Sequence, residues 1–163
     1  MSREKYARIA DFGKHLMSET ELESVLEVVS KEARKLLHAQ RCSIFMVDKE
    51  SNMLWTKYAD GIGRIAIGLN SGIVGHTYQK HESIIENKPY ENELFLSKID
   101  EKSGFETRNI ITMPIFDSKH EVIGIIQLLN KIDGEFDLND QDILSFFANY
   151  ISGTLELALK LED

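Results

Sequence analysis

The sequence has very little cysteine and no long apolar segment. Its single cysteine among 163 residues, Cys42, excludes an internal disulfide and a cysteine metal cluster. Because disulfides are rare in reducing compartments, we expect a cytoplasmic protein. No apolar run approaches the ~20 residues that span a bilayer, and the polar start of the chain lacks the apolar core of a secretory signal. The sequence therefore indicates neither a membrane protein nor a secreted one.

Positive charge is scarce and scattered. The 27 acidic residues outnumber the 19 basic ones, and the net charge is −8. At most two Lys or Arg residues are adjacent anywhere in the sequence. Non-specific nucleic-acid affinity depends on clustered Lys and Arg, so this composition argues against a nucleic-acid partner. A small anionic ligand would need a local site rather than the field of the whole protein.

Motifs for catalysis and metal binding are also missing. The five histidines have no metal-ligand spacing, and the chain contains no nucleophile elbow and no Walker loop. No histidine is placed to activate Cys42, which is expected in the core or in a pocket wall. The acidic cluster after residue 136 resembles a calcium loop, but it lacks the Gly and Glu that an EF-hand requires. We predict instead that Asp137 and Asp140 cap the helix that follows.

Hydrophobic periodicity predicts the secondary structure. Helical spacing indicates helices at 2–17, 19–38, 71–81 and 138–160, and Ser18 with Glu21 forms a capping box before the second of them. Strands are expected at 41–48, 53–59, 64–69, 109–116 and 121–131, with a further brief strand in "ESIIEN". The strands come as hairpins, which predicts an α+β domain with an antiparallel sheet. The terminal helices are expected on one face, and the irregular stretch 88–108 on the other.

Two features break these patterns. Gln127 lies in an apolar strand, where an unpaired buried amide costs about 1–3 kcal/mol, so it either bonds to nearby backbone or faces a polar ligand. The segment "LNSGIVGHTY" begins a helix at Ser71-Gly72, whose first N–H groups favour an anion. Gly72 and Gly75 would let a group approach the backbone closely. An ordinary helix start has the same form, so both interpretations stay open.

Four stretches, in order, resemble a GAF domain. They are "RCSIFMVD", "SGIVGHTY", "SGFETRNIITMPI" and "EVIGIIQLLNK" with the residues after it. The last is similar to the family signature of Asn-Lys, a spacer, Phe, three residues and Asp-Glu, with Gln141 in place of Glu. The resemblance is to the regulatory GAF domains of cyclic-nucleotide phosphodiesterases and bacterial adenylyl cyclases. It implies a sheet of five or six strands and divides the chain into a linker or dimer helix at 1–17 and a GAF domain at 18–163.

The resemblance also implies a site for cyclic AMP or cyclic GMP, with no cofactor. The implied ligand-binding residues are Ser43, Ala59, Asp60, Ile73, Val74, Leu96, Asp100, Ser103, Thr107 and Gln127. Ser43 would lie on the pocket floor, and Ile73 and Val74 would offer N–H groups to the cyclic phosphate. Ala59 and Leu96 replace residues that are often aromatic in the family. A structural clasp is implied for Asn130, Lys131, Phe136 and Asp140.

The function implied by the resemblance is that of a sensor module without catalysis, in a larger signalling protein. Cyclic AMP is slightly favoured because the neutral Gln127 amide can donate and accept. Ligand would order the loop before residue 108 and shift the terminal helices, which also form a parallel homodimer face that includes Leu157 and Leu161. The alternatives are a ligand-free dimerisation spacer, a sensor of haem, bilin, nitrate or iron, and a methionine sulfoxide reductase, which would need several cysteines.

Overall fold

The computed structural model describes residues 19–59, 65–96 and 104–162. The helices are α1 (Glu19–Leu37), α2 (Gly72–Lys80) and α3 (Leu138–Glu162), and a 3-10 turn covers Pro89–Glu91. The strands are β1 (Ala39–Asp48), β2 (Met53–Ala59), β3 (Ala66–Gly68), β4 (Ile85–Glu86), β5 (Ile110–Phe116) and β6 (Val122–Lys131). The helix predicted at 2–17 and the capping residue Ser18 lie outside the described residues.

The strands form one antiparallel sheet of six strands in the order β3-β2-β1-β6-β5-β4. The predicted α+β class is confirmed. Strands β1, β5 and β6 lie in the middle of the sheet and are covered on both faces, which explains their nearly continuous apolar sequence. Within the described ranges, no helix is both long and apolar enough to cross a membrane.

Alternate residues of the central strands face two different layers. Cys42, Ile44 and Ile126 contact α1 and α3 in the main core. Phe45 and Ile125 face the opposite layer, which contains α2. Cys42 is therefore a core residue and does not belong to the α2 layer.

Helical periodicity in the sequence predicts that Leu36 and Tyr150 belong to the core sides of their helices, but both side chains are exposed. Leu36 on α1 is 52% exposed and Tyr150 on α3 is 62% exposed. Both lie at the border of an apolar stripe, where the helical period alone cannot decide which side of the border is buried. The main core instead receives Leu37 and Ile151 from these helices.

Gly124 on β6 has no room for a side chain. A Cβ atom at this position would lie 2.7 Å from the backbone oxygen of Phe45. Because the strands would have to separate, we expect Gly124→Ala to lower the free energy of unfolding by about 1–3 kcal/mol in urea denaturation. Gly153→Ala on α3 is the control, since nothing lies within 4 Å of its Cβ position. An equal effect of the two substitutions would contradict the packing described here.

The joint between β6 and α3 is closed by three charged side chains. Lys131 Nζ lies 2.5 Å and 2.7 Å from the two carboxylate oxygens of Asp140. The Asp140 N–H donates to Asp137 Oδ1 at 2.9 Å, and the Asp137 N–H donates to Asp140 Oδ2 at 3.0 Å. This reciprocal cap starts α3, and the backbone N–H of Asp140 holds the pKa of the Asp137 carboxyl below its usual range.

Asn130 and Phe136 fix the backbone on either side of this joint. The buried Asn130 side chain accepts the N–H of Arg108 at 2.5 Å and donates to the Glu106 carbonyl at 2.8 Å. The Phe136 N–H donates to Asn87 Oδ1 at 3.0 Å, and Asn87 Nδ2 donates to the Phe136 carbonyl at 3.1 Å. The four residues of the expected clasp therefore tie β6, α3 and two loops together. In the described part of the chain, no group of His, Cys, Asp and Glu side chains is arranged to hold a metal ion.

Candidate functional site

A pocket lies between the sheet and the layer that contains α2. Its lining comprises Ser43, Phe45, Ile65, Ile67, Gly72, Ile73, Val74, Phe95, Leu96, Phe105, Thr107, Ile110, Gln127 and Leu129. The cavity measures about 60 Å³, whereas pockets that enclose drug-sized ligands measure roughly 300–1,000 Å³. A ligand of nucleotide size therefore requires part of the wall to move.

The floor of the pocket carries a row of polar side chains. Ser43 of β1 pairs with Gln127 of β6, which pairs with Thr112 of β5, so the three share one face of the sheet. Ala59 of β2 lies at the other end of the same row, opposite Ser43. The Gln127 side chain makes no hydrogen bond to any other described residue, and its amide is available to a ligand.

Thr112 holds α2 against this floor. Its hydroxyl donates to Thr77 Oγ1 at 2.6 Å, and the Thr77 hydroxyl donates to the Ile73 carbonyl at 2.9 Å. The Ile84 N–H donates in turn to Thr112 Oγ1 at 3.1 Å. The two hydroxyls and the Ile84 N–H all have hydrogen-bond partners in this series, which therefore fixes the position of α2 on the sheet. Sequence reasoning missed this pair, although Thr112 is the only hydroxyl in an otherwise apolar strand.

The start of α2 has unpaired N–H groups. Ser71 provides no side-chain cap, Gly72 has φ of 71°, and no acidic residue lies in the first turn. The first backbone bond is donated by Gly75 to the Ser71 carbonyl at 3.0 Å. The N–H groups of the buried Ile73 and Val74 have no acceptor among the described residues. They are donors to which an anion could bind.

Leu96 covers this helix start. Its Cγ and Cδ1 atoms lie 3.0 Å from the position that a Cβ of Gly72 would occupy. A Cβ at position 72 would crowd the Leu96 side chain, and the positive φ of Gly72 is strained for any residue that has a Cβ. A ligand that reaches the N–H groups of the first turn must displace the Leu96 side chain.

The walls of the pocket are mainly apolar and include three phenylalanines. Phe45 comes from β1, while Phe95 and Phe105 come from the segments on either side of residues 97–103. Phe95 and Phe105 provide the aromatic surface that Ala59 and Leu96 do not. Sequence reasoning missed them. For Phe105 a signal exists in its spacing of two from Thr107, which places both side chains on one side of an extended chain.

The structure brings together six of the ten predicted ligand-binding residues. They are Ser43, Ile73, Val74, Leu96, Thr107 and Gln127. Ala59 lies in the floor row but does not line the cavity. Asp60, Asp100 and Ser103 lie outside the described residues. Of the apolar residues that line the pocket, the prediction from the sequence included only Ile73, Val74 and Leu96. Two of the missed residues, Phe45 and Leu129, follow from alternation along the strands of Ser43 and Gln127.

The described lining of the pocket is mainly apolar, with three polar side chains. It contains no His, Cys, Asp, Glu or Lys, and the only polar side chains are those of Ser43, Thr107 and Gln127. Cys42 is buried on the other face of the sheet. The described lining therefore offers a ligand hydrogen bonds from three side chains and apolar contacts from the rest of the wall.

The sequence is similar to a known domain family and to parts of larger proteins. The family model described as "GAF domain" matches residues 21–155. A probable 3',5'-cyclic phosphodiesterase, pde-5 of Caenorhabditis elegans, is 31% identical over 156 residues, covering 87% of this chain and 21% of the relative. The dual 3',5'-cyclic-AMP and -GMP phosphodiesterase 11 of Drosophila melanogaster is 27% identical over 87% of this chain and 11% of the relative. The chain thus spans about a fifth or less of these relatives.

Solved structures show the same fold at low sequence identity. The GAF domain of a phosphoenolpyruvate-protein phosphotransferase from Coxiella burnetii has a TM-score of 0.78 at 17% identity, covering 91% of this chain and 95% of that one. The type II free methionine-R-sulfoxide reductase of Thermoplasma acidophilum has a TM-score of 0.71 at 15% identity, covering 84% and 94%. The fold is therefore shared by proteins of different activity. Given the family match over most of its length, the chain belongs to the GAF domain family.

Proposed function

We propose that this chain is a regulatory module that binds a cyclic mononucleotide in the pocket beneath α2 and catalyses no reaction. One observation carries the proposal: the same pocket contains unpaired N–H groups at a helix start and an unpaired amide on the sheet. The first suits a phosphate and the second suits the edge of a base. The similarity to cyclic phosphodiesterases supports this choice of ligand.

Each end of the nucleotide has a binding partner in this proposal. The cyclic phosphate binds the N–H groups of Ile73 and Val74, after Leu96 has moved away from Gly72. Ser43 and Gln127 contact the base, which stacks on the phenylalanine wall. Ala59 and Asp60 border the base. The loop before residue 108 acts as a lid over the ligand, to which Leu96, Asp100, Ser103 and Thr107 belong.

Cyclic AMP is the preferred ligand in this proposal. An amide side chain pairs with adenine through one donor and one acceptor, and Gln127 supplies both. The base edge of guanine presents a different order of donors and acceptors, so a single amide satisfies less of it.

The terminal helices transmit the signal in this proposal. Ligand binding orders the lid and shifts α1 and α3, which connect to an output domain of a larger cytoplasmic protein. The outer face of these two helices is also the contact surface of a homodimer. Phe146, Tyr150 and Leu157 are exposed along one stripe of α3, and Val28 and Leu36 are exposed on α1, which packs against it. The side chain of Leu161, expected in the same stripe, lies outside the described side chains.

A second candidate function is a dimerisation spacer that binds no ligand. Two observations favour it: the cavity measures only about 60 Å³, and the exposed stripe on α1 and α3 is apolar. A spacer needs the helix face and does not need the pocket. The two candidates therefore differ in their response to nucleotides.

A thermal-shift screen separates the two candidates. Cyclic AMP, cyclic GMP and the linear 5'-monophosphates are each added at millimolar concentration to the purified chain. At 100 times the dissociation constant, binding stabilises the fold by about 2.7 kcal/mol, which raises the melting temperature of a domain of this size by several degrees. We expect the largest rise with cyclic AMP and no rise with the linear compounds. If neither cyclic nucleotide raises the melting temperature, the proposal of a nucleotide site is wrong and the spacer function is favoured.

A further inference from the structure

Arg41 is a half-buried cation at one end of the pocket. It lies on β1 opposite Leu129 of β6, on the same face of the sheet as Ser43. Its Cζ atom is 3.7 Å from the centroid of the Phe105 ring, so the guanidinium stacks on the ring. Arg41 does not line the cavity, but Phe105 does. The cation therefore contacts the aromatic wall of the pocket by stacking on Phe105.

The guanidinium of Arg41 gains little else at this position. Its Nη1 atom is buried without a hydrogen-bond partner, and none of the described carboxylates pairs with it. Burying a charged donor without an acceptor costs free energy, whereas a methionine of similar length would fill the space without that cost. The stack on Phe105 is the interaction that an arginine provides here and a methionine does not.

The contacts of the Phe105 ring differ in how far they fix its orientation. The bonds from Asn130 hold the backbone from Glu106 to Arg108, and the Phe105 ring lies beyond them. The ring packs against a small apolar cluster that includes Ile73 and Leu129. Such contacts have no preferred direction, while a planar guanidinium stacked at 3.7 Å also fixes the plane of the ring.

We propose that Arg41 is a positioning residue that sets the affinity of the pocket by holding the Phe105 ring in place. The inference rests on the proposed nucleotide site, because Phe105 is taken as part of the wall on which the base stacks. Arg41 acts through the ring and does not contact the nucleotide. Its effect on binding therefore disappears when the ring is removed.

A double-mutant cycle tests this dependence. Calorimetric dissociation constants for cyclic AMP are measured for the wild type, Arg41→Met, Phe105→Leu and the double variant. We expect each single change to weaken binding about tenfold and the double variant to be no weaker than Phe105→Leu alone. Arg41→Lys keeps the charge without the planar stack and is expected to resemble Arg41→Met. Arg108→Met removes an exposed positive charge from the same segment and should bind as the wild type does.

Two results would overturn the proposal. If the losses from Arg41→Met and Phe105→Leu add in the double variant, Arg41 acts on the ligand through its charge and not through the ring. If Arg41→Met binds as tightly as the wild type while Phe105→Leu is weakened, the stack has no effect on the wall.

Amide hydrogen exchange in the unliganded protein provides a readout that needs no nucleotide. We expect Arg41→Met to increase exchange at residues 104–108 and to leave exchange in α3 unchanged. Unchanged exchange at 104–108 overturns the role of Arg41. If the wild type binds no cyclic nucleotide but exchange increases as expected, the proposed function fails while the anchoring of Phe105 stands.

Discussion

Replacing Lys131 with methionine is expected to lower the free energy of unfolding by about 3–5 kcal/mol. The Lys131 side chain is 16% exposed and that of its partner Asp140 only 3%, so the substitution leaves a buried carboxylate without its cation. For a domain of this size the melting temperature should fall by roughly 10 °C. Urea denaturation and calorimetry measure both quantities.

The exposed pair of Lys49 and Glu121 is the control for this prediction. Its atoms are 3.4 Å apart and both side chains are about 60% exposed. Lys49→Met should change stability by less than about 1 kcal/mol. The double variant Lys131→Met/Asp140→Asn should recover most of the lost stability, because it leaves no unpaired charge and keeps an oxygen that accepts the Asp137 N–H. A loss below about 1 kcal/mol for Lys131→Met would show that the clasp does not hold α3.

Replacing Gln127 with leucine is expected to weaken cyclic AMP binding by roughly 10- to 100-fold, or about 1.4–2.7 kcal/mol. The amide makes no hydrogen bond to the described part of the chain, so its loss removes contacts to the ligand and none to the fold. The melting temperature of the unliganded protein should stay within about 2 °C of the wild type. Calorimetric titration and a melting curve measure the two quantities separately.

Two further variants sharpen this test. Gln127→Glu keeps the size of the side chain but can only accept, so it should bind cyclic AMP poorly and lose less affinity for cyclic GMP, whose base presents donors. Asn139→Leu removes an exposed amide from the first turn of α3, outside the described pocket lining, and should bind as the wild type does. Equal affinity in Gln127→Leu and the wild type would remove Gln127 from the site.

The fold could be predicted from the sequence because apolar residues repeat regularly along its helices and strands. Hairpins of apolar residues were enough to predict an antiparallel sheet with Gln127 as a polar exception, while the place of Ser43 on the pocket floor was implied by the family resemblance. The strand register then aligns both side chains with Thr112. The sequence could not show this alignment, since register depends on how β6 pairs with both of its neighbours.

The aromatic wall could not be predicted in the same way. Phe95 and Phe105 lie in a stretch without sustained periodicity, so apart from the spacing of Phe105 to Thr107, tertiary contacts decide where their rings point. For Phe105 these contacts are the stack with Arg41 and the apolar cluster near Ile73. The roles of Asp60, Asp100 and Ser103 stay predictions, because they lie outside the described residues.

The central claim is that a cyclic nucleotide binds with its phosphate at the start of α2. A ¹⁵N–¹H NMR titration with cyclic AMP tests it directly, because the amides of Ile73 and Val74 each give a resolved signal once assigned. We expect saturable shifts that are largest at these two amides and at the Gln127 side-chain amide. The absence of any shift at millimolar cyclic AMP, or shifts confined to other parts of the chain, would contradict the claim.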